Sequence, residues 1–260
     1  MSLGLGSYAF FWQHSERAST PTTIVDELRA TRELGLDRFQ ICDDPRLPAT
    51  AAGLAELRSA ADELGIALEL GTRGVAVDHL EQQIAAADAL GATTLRSMLT
   101  SGDDRPSAVE AEMRLRRVAP RLADAGVTLA LETYEQVPTA TLIALVEELG
   151  DERIGICLDP ANTVAALEDP ADVIRRCARY TVNLHVKDFA FDRNPGWVGF
   201  VLAGAPLGEG LLDLELLRAS LDLTRVHAIV EHWLPWQGDE QTTMRAERAW
   251  TAQSAARWAA

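Results

Sequence analysis

Cysteine is scarce in this chain. The three present, Cys42, Cys157 and Cys177, are an odd number without CxxC spacing, which argues against a disulfide framework or a zinc knuckle and for a reduced, cytoplasmic setting. Basic residues are also few, 24 Lys and Arg against 39 Asp and Glu, so the net charge is −15. Such a surface repels phosphate backbones and anionic lipid, so neither a nucleic acid nor a membrane is an expected partner. No apolar run approaches the ~18 residues that span a bilayer, and the start MSLGLGSYAFFWQ lacks the charged and apolar regions of a signal peptide. Low-complexity segments and long linkers are missing too, so 260 residues are expected to form one domain, 1–260.

What is present is an alternation. Short β-rich runs, LGLGSY, RFQIC, IALEL, TTLRSML, VTLALE, RIGICLD, TVNLHVKD and HAIVEHW, are separated by longer amphipathic stretches such as TIVDELRATRELG and AEMRLRRVAPRLADAG. In the first of these helices Ile24, Leu28 and Leu34 fall roughly at helical spacing, Pro21 predicts the start and Gly35 the stop. Eight strands alternating with eight helices predict an α/β fold, a single (β/α)8 TIM barrel. A doubly wound open sheet is the alternative. The first βα turn, GSYAFFWQHSERAST, has no dinucleotide glycine fingerprint and GxxxxGK[ST] occurs nowhere, which disfavours it.

In such a barrel the C-terminal strand ends open onto one face, so the last residue of each strand is informative. Strands five to eight end in Glu132, Asp159, His185 and Glu231, spaced 27, 26 and 46 residues apart. The first two intervals equal one βα repeat. Three carboxylates and an imidazole suit one divalent ion, Mn²⁺, Mg²⁺ or Co²⁺, with Zn²⁺ also admissible. Singly each has an ordinary explanation: Glu132 and Asp159 as helix caps, Glu231 as an arginine's partner. Four in succession point to a metal.

The pieces GLGSYAF, IALELGTRG, LALE, GICLDPAN, NLHVKD, GEGLLD and VEHW resemble the sugar phosphate isomerase/epimerase family, the xylose isomerase-like TIM barrels, over nearly the whole chain. The resemblance implies that Glu132, Asp159, His185 and Glu231 bind one divalent metal. Many relatives carry histidine three residues after the Asp; here Asn162 stands there, which removes the imidazole ligand but leaves a side chain able to hydrogen-bond a substrate hydroxyl.

Lys187 lies two residues beyond His185, on the same side of the strand, where an ammonium would stabilise a substrate oxyanion; a solvated strand-end charge is the plainer alternative. Asp188, of opposite parity, is expected to anchor a loop. Glu132 and Glu231, besides binding metal, would remove and return a proton. Arg73 and Arg96 end strands three and four, and their guanidinium forks suit a carboxylate or phosphate, or else ordinary ion pairs. Tyr8, Phe10, Trp12, Trp233 and Trp236 would wall the pocket or simply pack. The glycine-bearing segment 189–210 has the composition of a lid, with Glu209 a lesser substrate contact.

The expected substrate is a small polyhydroxylated carbonyl compound, and the expected intermediate an enediolate. Isomerisation or epimerisation of a keto sugar leads. Decarboxylation of a 3-oxo sugar acid follows, because GTRG, NLHVKDF and GEGLLD together resemble the branch of the family associated with 3-oxo-isoapionate; dehydration of an inosose-like ring is a further lyase variant. An abasic-site endonuclease shares the barrel but would want a basic groove. A noncatalytic binding protein would not need so complete a ligand set. A homo-oligomer is compatible with all of these.

Overall fold

A computed structural model describes residues 3–194, 196 and 198–259. Its strands are β1 (Leu3–Gly6), β2 (Arg38–Cys42), β3 (Ala67–Arg73), β4 (Thr94–Met98), β5 (Thr128–Glu132), β6 (Ile154–Leu158), β7 (Thr181–Val186), β8 (Asp188–Arg193), β9 (Phe200–Ala205) and β10 (His227–Val230). All but β8 and β9 close into a parallel barrel in the order β1-β10-β7-β6-β5-β4-β3-β2. The (β/α)8 expectation is therefore met, with β10 as the eighth barrel strand.

Around it lie α1 (Phe11–His14), α2 (Ile24–Glu33), α3 (Ala51–Leu64), α4 (Val77–Leu90), α5 (Ala108–Ala125), α6 (Thr139–Leu149), α7 (Pro160–Thr163), α8 (Pro170–Cys177), α9 (Leu214–Ser220) and α10 (Glu240–Ala259). No described helix is long and apolar enough to cross a membrane. Local chemistry sets the boundaries. α2 begins after Thr23, not at Pro21, because Thr23 and Asp26 form a reciprocal capping box. It ends at Glu33, leaving Leu34 as the cap, while α3 to α6 each stop at a left-handed glycine.

The strands have two unlike faces. Phe39 and Ile41, Leu68 and Leu70, Leu129 and Leu131, Ile156 and Leu158, and Leu184 and Val186 share one parity and join a single core with helix residues such as Leu80, Ile84, Leu115, Leu122, Leu142 and Leu217. Burying this layer between barrel and helices supplies the main stabilisation, of order 25 cal/mol per Å² removed from water. The other parity faces the barrel axis and is polar or small, where such barrels are ordinarily filled by branched apolar side chains. Cross-barrel bonds prove the inward direction. Gln40 of β2 and Glu69 of β3 both bond Asn183 of β7, a strand that neighbours neither.

One element departs from the sequence reading. Segment 189–210, expected as a lid loop, largely forms an antiparallel hairpin of β8 and β9, with Asp188 opposite Ala205 and Arg193 opposite Phe200. Pro195 and Trp197 of that segment lie outside the described residues. Phe191, Val201 and Phe200 were unreadable as strand residues because they are solvent-exposed and so carry no burial alternation.

Candidate metal centre and active site

The four expected ligands come together. Glu132 closes β5; Asp159 follows β6 and caps α7, accepting from the Asn162 amide at 3.2 Å; His185 sits in β7; and Glu231 follows β10, held by its N–H to the Val186 carbonyl at 3.2 Å. A register shift between Ile156 and Cys157 bends β6 beside β7 just ahead of Asp159. His185 Nδ1 lies 3.2 Å from Glu132 Oε1, 3.4 Å from Glu231 Oε2 and 3.7 Å from Asp159 Oδ2. One donor atom from each residue falls within 4.8 Å of all the others, a spacing that suits bonds of ~2.1 Å to a shared cation.

The donors also fit an ion chemically. All four side chains are buried, and Asp159 Oδ2, 2.7 Å from the Lys187 ammonium, stands 3.7 Å from His185 Nδ1. Among the described residues these three carboxylates pair with two permanent cations, Arg96 and Lys187, so one negative charge is left for a divalent ion to neutralise. Burial alone would raise the carboxyls of Glu132 and Asp159; Arg96 and His185 hold the first below its ordinary value, and Lys187 and His185 the second. His185 shows the reverse: burial disfavours its charge, yet the surrounding acidic groups, Glu231 and Glu132 among them, raise its pKa.

Lys187 is the only lysine of the chain. Its Nζ lies 2.7 Å from Asp159 Oδ2, 3.4 Å from Glu231 Oε2 and 4.5 Å from the Trp233 ring centroid. Burial works against the ammonium, but Asp159 and Glu231 more than offset it and raise its pKa, so the group stays protonated. Asp188, of opposite parity, is spent on the backbone: it accepts from the amides of Phe189, Gly208, Gly210 and Leu212 at 2.8–3.0 Å. A Cβ at Gly210 would lie 2.2 Å from its Oδ1, so only glycine fits there.

Above the ligands is a cavity of about 150 Å³ lined by Tyr8, Asp43, Arg73, Arg96, Met98, Glu132, Tyr134, Asn162, Lys187, Glu231, His232 and Trp233. Arg73 reaches it half-exposed, giving Nε to Asp43 at 3.0 Å and Nη2 to the Tyr8 hydroxyl at 2.7 Å; its Nη1 makes no hydrogen bond among the described residues. Arg96 is instead buried, tied to Thr72, Asp43 and Glu132. Asn162 gives its amide N–H to Glu132 Oε1 at 3.0 Å while its own Oδ1 is buried without a partner.

Other expected residues stand apart. Trp12 lines an adjoining cavity of about 300 Å³ with Tyr8, Phe11, His232, Trp233, Leu234 and Glu247, its Nε1 bonded to the Leu234 carbonyl. Phe10 is core, packed on Phe39, and Trp236 packs against Trp12. Glu209 is exposed and bonded to Gln253, outside the set that lines the cavity.

Sequence reasoning missed Asp43, Tyr134 and His232. Asp43 has φ +49°, and this turn sets its carboxylate between Arg73 and Arg96, which hold it ionised against the effect of burial. The turn type after RFQIC was the one available signal, since Asp tolerates the left-handed region.

A family model described as a xylose isomerase-like TIM barrel matches residues 28–254, and the chain belongs to that family. It is an enzyme fold with a metal-ready site at the usual end of the barrel. Over 257 residues, 98% of this chain and 94% of the relative, it is 46% identical to a protein of Pectobacterium atrosepticum named 3-oxo-isoapionate decarboxylase. Among solved structures it is similar to a D-psicose 3-epimerase in the presence of D-fructose, with TM-score 0.74, 15% identity and coverage of 100% of this chain and 98% of that one. It is also similar to a xylose isomerase-like TIM barrel protein from Mycobacterium smegmatis in complex with magnesium, with TM-score 0.71, 18% identity and coverage of 100% and 98%. The last two likenesses speak for the fold.

Proposed function

We propose that this chain is a divalent-metal-dependent decarboxylase of a small 3-oxo sugar acid of the 3-oxo-isoapionate type. Isomerisation, the leading expectation from the sequence, gives way to the lyase reading. The observation that carries it is the 46% identity, over nearly both full lengths, to a protein named for that reaction. The side chains of the cavity support it. Glu132, Asp159, His185 and Glu231 are the residues that would hold Mn²⁺, Mg²⁺ or a similar ion, and such an ion, when bound, polarises a carbonyl and a neighbouring hydroxyl.

The chain's own groups do the rest. Arg73, with Nη1 free, seats the substrate carboxylate at the cavity mouth. Its charge is already shared with Asp43, which keeps that grip modest; a strong, desolvated pair would stabilise the ionised acid more than the transition state, in which the charge leaves the carboxyl group. As the carbon–carboxyl bond breaks, CO₂ departs and its bonding electrons pass into the carbonyl, giving an enediolate. Lys187, fixed by Asp159 and Glu231 against the Trp233 face, places a full positive charge beside the developing oxyanion. One proton then replaces the lost carboxyl group, delivered by the Lys187 ammonium, which regains a proton from water.

The test is turnover of a 3-oxo sugar acid labelled with ¹³C in its carboxyl group, with Mn²⁺ in D₂O. Released ¹³CO₂ and one deuterium in the product are expected. A rearranged product that keeps the label would return the enzyme to the isomerase class.

A further inference from the structure

Below the four ligands the barrel axis holds a second polar layer, made of Gln40, Glu69 and Asn183, whose hydrogen bonds admit one arrangement. Glu69 is fully buried and, as a carboxylate, only accepts. Arg38 Nη1 at 2.9 Å and His227 Nδ1 at 3.0 Å approach its Oε1. Its Oε2 takes the amide N–H groups of Gln40 and Asn183, both at 3.0 Å.

The donor ends of both amides are thereby fixed toward Glu69. Gln40 Nε2 gives its other proton to Asn183 Oδ1 at 3.1 Å. Turning the Gln40 amide over would set its oxygen against two acceptors at once. Its Oε1 therefore faces the opposite way, 2.8 Å from His185 Nε2 and 3.0 Å from the Cys42 thiol. An amide oxygen cannot donate, so the proton of this bond sits on Nε2, and in neutral imidazole the lone pair is left on Nδ1. Nδ1 is the nitrogen that faces Glu132, Asp159 and Glu231.

We infer that Gln40 is a positioning residue for metal binding: its amide oxygen holds His185 in the tautomer that presents Nδ1 to the ion, and Glu69, which makes no hydrogen bond to any of the four ligands, sets the direction of that amide. The inference rests on the metal reading of the site but not on the reaction assigned to it. Partners of this kind, beyond the ligands themselves, are typically worth 10- to 100-fold in metal affinity.

The experiment is Mn²⁺ titration of the purified protein, with free Mn²⁺ read by electron paramagnetic resonance. Gln40→Met, close in volume but without the acceptor, is expected to bind Mn²⁺ about 10- to 100-fold more weakly at a temperature where circular dichroism shows its metal-free form to be folded. The pair Gln40→Glu with Glu69→Gln restores an acceptor beneath His185 and keeps the number of buried charges, so it is expected to recover the affinity. A Gln40→Met affinity within twofold of wild type overturns the inference, as does a folded double variant no tighter than Gln40→Met.

Should Gln40→Met not fold, the Mg²⁺-loaded wild type decides by long-range ¹H–¹⁵N correlation. A His185 Nε2 proton protected from exchange with water and close to the Gln40 side chain supports the inference; rapid exchange of that proton overturns it. Wild-type protein that binds no Mn²⁺ would sink both the inference and the proposed function, whereas binding without CO₂ release would sink only the latter.

Discussion

At the scale of single residues, Lys187 carries the sharpest expectation. The side chain is buried, and its ammonium is held by two carboxylates that also serve as candidate ligands. Lys187→Met removes the charge and leaves the four candidate ligands in place. Turnover is expected to fall about 10²- to 10³-fold, the usual effect of losing one donor aimed at an oxyanion. Metal content, measured by elemental analysis, is expected to persist. Loss of the metal together with activity would make Lys187 a structural counterion instead. Asp188, its neighbour, shows how strand parity divides labour: one side chain enters the cavity while the next gathers four backbone amides and fixes the start of the GEGLLD loop.

At the scale of elements, the hairpin and the last helix each reach the cavity wall. The backbone of Gly204 in β9 donates to the Trp233 carbonyl at 3.1 Å, and a Cβ there would lie 2.8 Å from Trp233 backbone atoms. Gly204→Ala is therefore expected to displace Trp233 from Lys187 and lower kcat about 10-fold or more, with metal affinity unchanged in the same titration. α10 acts through Glu247, whose carboxylate accepts from the amides of Trp12 and Gln13. Burial pushes this carboxyl up from 4.5 to about 7 in spite of those bonds. Between these two values the folded chain binds the extra proton, so its stability falls as pH rises through that window and levels off above it, by on the order of 3 kcal/mol in all. Melting curves of wild type and Glu247→Gln from pH 4.5 to 8 are expected to converge at low pH and separate in this way, the variant being the flatter.

The same scale shows what could be read from the chain. The barrel was legible, and its four candidate ligands could be picked out, because each lies at or next to a strand end and a repeat of about 27 residues recurs, a local pattern that needs no knowledge of neighbours. Gln40, Glu69 and Asn183 were not. Their meaning depends on strands two, three and seven meeting across the axis, which only closure of the sheet decides. The ion-pair alternative for Arg96 could not be given partners for the same reason: Asp43 and Glu132 come from other strand ends. The hairpin escaped because its outward side chains are apolar as well.

At the scale of the whole molecule, the charge and the site are tied together by one count. A chain with net charge −15 and 24 basic residues contains a single lysine, and that lysine is buried in the cavity wall. A lysine-specific endoprotease thus has one bond to cut, Lys187–Asp188, between the strand that bears His185 and the segment that leads to Glu231. It can reach that bond only when the barrel opens. The digest becomes a clock for global unfolding with one tick, splitting the chain into pieces 1–187 and 188–260 and nothing else. Added Mn²⁺ should slow the clock in proportion to how tightly the closed barrel holds it, since a ligand of the folded state alone stabilises by RT ln(1 + [L]/Kd). Electrophoresis at several Mn²⁺ concentrations would read that affinity without any substrate; a rate indifferent to Mn²⁺ would mean that the ion does not join the two halves.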